Sequence, residues 1–187
     1  MRHDAVELER LDVDQPVVGD EVQRRRVEQG VTEPAHRGTI RVPLIMRGPG
    51  LPAGKHVKTM AANIDLAPTI LDAASATASV TLDGRSLLPI ARGAATIPRA
   101  IVIETGPKTT GNPWYVGLRT PRWKYVERST GELELYDLQS DPHELTSVHA
   151  DPRYDATRQA LADRLARLRT CAGADCRAWA PVPGPRP

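Results

Sequence analysis

Phenylalanine is absent from the 187 residues, and aromatics make up only 4% of them. Any core must therefore come from a 40% hydrophobic content that supports a modest interior. No large charge of either sign is present: 25 basic against 23 acidic side chains leave +2. That balance gives no global pull toward nucleic acid or anionic lipid. No apolar run approaches the length needed to span a bilayer, so no membrane partner is expected. The start, MRHDAVELER, has no apolar h-region, so no signal peptide is visible: either the chain as written is cytoplasmic, or its true start has been lost. The length suits one domain, or parts of two.

What the sequence does contain begins with Ile40 to Gly50, IRVPLIMRGPG. Val42, Leu44, Ile45 and Met46 form a continuous apolar run that ends in Gly48-Pro49-Gly50. Such a run reads as a fully buried strand. Pro43 donates no ladder hydrogen bond, so it suits the first residue of that strand. In Met60 to Ala74, Asp65 is a candidate N-cap and Pro68 falls in the first turn. Leu66, Ile70, Leu71 and Ala74 recur at helical spacing, which predicts an amphipathic helix with its apolar face buried. Asp83-Gly84 reads as a turn, Ser86 to Ile90 as a short packed segment, and Ala100 to Glu104 as a strand.

Trp114–Leu118, Trp123–Glu127 and Leu133–Asp137 are further strand candidates, the first two joined as a hairpin across Arg119 to Arg122. Arg119, Arg122 and Lys124 alternate with Trp123 and Tyr125, a pattern shared with single-strand-binding surfaces. A hairpin with a polar face and an aromatic packed face accounts for it more simply. Asp151-Pro152 starts a helix over Tyr154 to Arg169, about 24 Å long, with Leu161, Leu165 and Leu168 as its apolar stripe. Met1 to Arg37 keeps no period, and its Arg24-Arg25-Arg26 triplet reads as solvated surface beside Asp20, Glu21 and Glu28. Ala180 to Pro187 is proline-rich and expected to be disordered.

Cys171 and Cys176 are compatible with a small disulfide loop or with two free thiols. Metal binding is disfavoured, because no further Cys or His stands near them to complete four ligands. His36, His56, His143 and His149 show no ligand spacing, and Glu104 reads as an edge carboxylate at a strand end.

Taken in order, IRVPLIMRGPG, NIDLAPTILDAA, DGRSLLPI, LRTPRWKYV and ELYDLQSDPHE resemble the C-terminal part of the type I sulfatases. The ending LRTCAGADC is similar to that of the N-acetylglucosamine-6-sulfatase branch and implies a Cys171–Cys176 disulfide. The resemblance covers about Thr39 to Arg177. It implies an α/β fold: the C-terminal piece of an alkaline-phosphatase-like sulfatase, with a small antiparallel sheet and a terminal helix. The expected organisation is a poorly patterned segment (1–37), a remnant of the large α/β domain (38–99), a small C-terminal subdomain (100–179) and a tail (180–187).

The family's reaction is hydrolysis of a sulfuric ester by a formylglycine made in a Cys/Ser-X-Pro-X-Arg motif, and this sequence contains no such motif. The intact family holds calcium through Asp residues and an Asp-Asn or Asp-His pair ahead of the IRVP strand. Here no Asn precedes Asn63, no Lys precedes Lys55, and Asp20 is followed by Glu21. No catalytic or metal-binding residue can therefore be carried over. The break before His36 is what a shifted or disrupted reading frame would leave. By analogy with the family, Lys108, Asn112 and Trp114 sit in a loop between the domains that could line a substrate pocket; Lys108 reads either as a solvated loop lysine or as the partner of an anionic substrate. The expectation is a sulfatase fragment that is inactive alone. It would act on sulfated sugars or aryl sulfates when joined to an N-terminal sulfatase portion, which the family usually exports or sends to the lysosome. The alternatives are a non-catalytic interaction module and a phosphoester-cleaving relative of the same superfold.

Overall fold

Pro43 stands just ahead of a strand and contributes no ladder hydrogen bond there, as its chemistry requires. In the computed structural model, which describes residues 40–95, 98–104 and 115–186 together with the backbone of 5–8, that strand is β2 (Leu44–Arg47). β1 (Ala5–Leu8) lies between β2 and β3 (Lys55–His56), antiparallel to the first and parallel to the second. Lys108, Asn112, Trp114, His36 and Arg24 to Arg26 lie outside the described residues.

The described residues fall into two units. The first holds β1 with the described parts of Pro43–Ile101 and Ala166–Pro181. Its apolar centre is Leu51, Val57, Leu87, Leu88, Ile90 and Ala91, joined by the inner face of β2, Leu44 and Met46. The DGRSLLPI stretch supplies much of that centre. Its SLLPI part leads into α2 (Leu88–Arg92), which ends at Gly93. Gly84 is buried where a Cβ would sit 2.0 Å from the Ile64 carbonyl oxygen, so this position accepts only glycine.

Two expectations for this unit fail. β2 is not covered on both faces: its burial alternates, and Ile45 is 63% exposed. In α1 (Leu66–Ala73), Leu66 and Ile70 are 43% and 67% exposed, while the buried positions are Thr69 and, one residue before the helix, Asp65. The periodicity of α1 is helical as expected. The described residues cover that stripe only in part: Leu71 is half-buried, while Leu66 and Ile70 face outward.

The second unit takes the described parts of Asp12–Val42, Val102–Leu165 and Val182–Pro187. β4 (Ile101–Glu104), β5 (Tyr115–Arg119), β6 (Trp123–Arg128) and β7 (Leu133–Asp137) form a four-stranded sheet in that order. The β5–β6 and β6–β7 pairs are antiparallel, with Leu118 opposite Tyr125 and Tyr125 opposite Leu135. The hairpin turn is closed by the Thr120 amide donating to the Trp123 carbonyl and the Trp123 amide donating to Thr120 Oγ1, each at 2.8 Å. α3 (Asp155–Leu168) follows a 3-10 turn in which Asp151 accepts the Arg153 amide, the capping role its sequence suggests. Leu161 and Leu165 of α3 are fully buried.

Candidate functional site

The chemistry-bearing side chains form two buried polar centres, one in each unit. In the first, Asp65 occupies the N-cap position of α1, but its carboxylate caps none of the helix amides. It accepts the Ala62 amide at 2.8 Å, the Arg85 amide at 3.0 Å and the Arg99 guanidinium at 2.5 Å. Asp65 is fully buried and Arg99 nearly so, so each charge answers the other where water cannot. One turn on, the Thr69 hydroxyl donates to the Asp65 carbonyl and accepts the Leu87 amide at 2.9 Å. The Asp and Thr of NIDLAPT thus anchor the segment that begins at Arg85. Burial and the neighbouring Arg99 charge lower the pKa of Arg85, against a raising effect from Asp65.

The second centre is Lys124, whose ammonium lies 2.6 Å from Glu144 Oε2 with neither side chain meaningfully exposed. Lys124 also sits 5.1 Å from the Tyr136 ring centre. Burial drives its pKa down, and the bond to Glu144 partly restores it. Glu144 holds this position from a left-handed backbone, φ +58°, unusual for a residue with a Cβ. Nearby, Arg122 grips Asp137 through two bonds of 3.0 and 2.7 Å and lies 4.5 Å from the Trp123 ring centre. Trp123 meets Tyr154 edge to face.

These contacts correct the hairpin reading. The alternation does not separate a polar face from an aromatic one, because Trp123, Lys124, Tyr125 and Val126 are all buried. Lys124 is internal because Glu144, distant in sequence, supplies its counter-charge. Rings and cations enclosed in this way are unavailable for stacking bases.

Cys171 and Cys176 form a disulfide, with their sulfurs 2.02 Å apart. Among the described residues, no group of three or more His, Cys, Asp or Glu side chains is placed to hold a metal ion. Asp65, the most enclosed carboxylate, is already bonded to Arg99. The described residues therefore do not fit a calcium ion, which needs clustered oxygen donors. His56 and His143 are exposed, and His149 bonds Ser147. Glu104 is the exposed end of the edge strand β4. Among the described residues no helix is long and apolar enough to cross a membrane.

The family model described as N-sulphoglucosamine sulphohydrolase, C-terminal, matches residues 35–171. The chain belongs to this sulfatase family. It is 34% identical over 119 residues to a choline-sulfatase of Rhizobium meliloti (strain 1021), covering 62% of this chain and 23% of that protein. It is 33% identical over 175 residues to an N-acetylglucosamine-6-sulfatase of Bos taurus, covering 74% of this chain and 31% of that protein. Among solved structures it is similar to the phosphonate monoester hydrolase of Agrobacterium radiobacter, with a TM-score of 0.58 and 30% identity. That match covers 68% of this chain and 29% of the hydrolase. The fold is that of the C-terminal part of an alkaline-phosphatase-like sulfatase, α/β with a small antiparallel sheet. The chain spans between about a quarter and a third of the length of the relatives named here. Its two buried ion pairs belong to the scaffold of that part, and they were missed from sequence because each joins residues at least 20 positions apart.

Proposed function

We propose that these residues serve as the C-terminal part of a sulfuric ester hydrolase. The reacting groups and the metal would come from a preceding catalytic portion, whether on the same polypeptide or another. One observation carries this reading: β2 and α1 have sequences suited to full burial, yet Ile45, Ile64, Leu66 and Ile70 are exposed. Apolar surface of this kind marks an interface, and α/β sheets are covered on both faces. The catalytic portion is the cover that family membership supports.

The substrate class is a sulfated sugar or aryl sulfate, by likeness to relatives named N-acetylglucosamine-6-sulfatase and arylsulfatase K. In the whole protein, Lys108, Asn112 and Trp114 would face it, Lys108 pairing with its anionic group. The Cys171–Cys176 bridge suits an oxidising compartment.

The test is hydrolysis of an aryl sulfate by the purified chain, with and without calcium. No turnover is expected, and turnover by these residues alone overturns the reading. A second reading, a phosphonate or phosphate ester as substrate, draws on the likeness to the phosphonate monoester hydrolase. The same assay on the whole protein, with aryl sulfate and aryl phosphonate in competition, separates the two.

A further inference from the structure

The disulfide lies at one end of a continuous series of contacts inside the first unit. The ring it closes contains Gly173, at φ +59°, and most of the 3-10 turn Gly173–Arg177. A Cβ on Gly173 would come within 2.8 Å of Thr81 Cγ2, so this turn lies directly against the segment ahead of Asp83. The Gly173 amide donates to Asp83 Oδ1 at 2.7 Å. Arg177 Nη1 donates to the Leu82 and Gly84 carbonyls at 2.8 and 2.9 Å. Three successive residues, Leu82, Asp83 and Gly84, are thus held by a turn some 90 positions further along the chain. The next amide, Arg85, donates to Asp65, and Leu87 donates to Thr69. Both cysteines are only half-buried, so solvent reagents can reach them.

We propose that the Cys171–Cys176 bridge is a redox-sensitive latch that pins the Leu82–Arg85 segment against Asp65. A dithiol reductant attacks one cysteine sulfur as a thiolate and breaks the S–S bond, releasing the other cysteine as a thiol. Its second thiol then closes on the mixed disulfide. The cysteines end as two protonated thiols, and the reductant leaves as its own disulfide. With the ring open, the Gly173–Arg177 turn must be ordered against a larger conformational entropy. The Gly173 and Arg177 anchors then release Leu82 to Gly84, and the Arg85 and Leu87 amides lose their fixed partners. A small-molecule disulfide restores the clamp by the reverse exchange: it takes the two electrons, leaves as two thiols, and the Cys171–Cys176 bond re-forms. The device is independent of what the whole protein hydrolyses.

Amide hydrogen exchange, followed by NMR on the full chain before and after dithiothreitol, tests this. Reduction is expected to speed exchange at Gly173, Arg85 and Leu87 by about tenfold or more, the loss expected for bonds to charged and buried partners. Val126 and Leu135, inside the second unit's sheet, should stay within about twofold. The oxidised Arg177→Gln variant should reproduce the faster exchange at Arg85. The Cys171→Ser/Cys176→Ser variant should not respond to dithiothreitol. Unchanged protection at Arg85 and Leu87 after complete reduction overturns the latch. So does a uniform acceleration of all amides, or a response of the double serine variant to the reductant.

Discussion

In the second unit, strand β6 buries four residues in succession, including a lysine. In the first unit, strand β2 comes from a more apolar run and leaves Ile45 largely in solvent. The strand that carries charge is enclosed, and the apolar strand is half open. Burial therefore follows the supply of partners, not hydrophobicity alone. Lys124 is enclosed because Glu144 and the Tyr136 ring are there to meet it. Ile45, Leu66 and Ile70 stay exposed because the described residues offer them no second layer.

The contrast is broken most forcefully at Lys124. Lys124→Ala removes the ammonium facing Glu144 in a dry site and should cost about 3–5 kcal/mol. Chemical denaturation followed by tryptophan fluorescence measures it. Combining Lys124→Met with Glu144→Gln should recover most of that loss, because neither charge then remains buried.

Alkaline titration sharpens the comparison at a smaller scale. The Tyr125 and Tyr136 phenols have pKa values raised chiefly by burial and secondarily by Glu127 and Glu134. The folded chain keeps these protons while the unfolded chain releases them from about pH 10. Stability is therefore full below pH 10 and falls above it, by up to about 1.4 kcal/mol per pH unit for each phenol. Lys124, held below its usual value, acts in the opposite sense up to about pH 10.5, since the unfolded lysine keeps a proton that the folded one gives up. Tyr136→Phe should flatten the alkaline loss in denaturation midpoints measured across this range.

The smallest effect is expected on the open side. Ile70→Asp should change the stability of the chain by less than about 0.5 kcal/mol, because the side chain has no cover to lose. Sedimentation should show less self-association than the parent. A loss as large as that of Lys124→Ala would mean that α1 is already covered, and the two units would no longer differ.

The five ordered motifs and their local chemistry could be read directly from the residues. Pro43 stands just ahead of the strand, the Thr120–Trp123 turn joins β5 to β6, Asp151 caps, and Leu161 and Leu165 mark the inner stripe of α3. These features depend on neighbours within a few positions, which a sequence displays. The tertiary structure alone decided that Asp65 turns from α1 to Arg85 and Arg99, that Lys124 finds Glu144, and that Arg177 grips the carbonyls of Leu82 and Gly84. Charge pairing at a distance depends on which loops the fold brings together, and no local pattern encodes that choice.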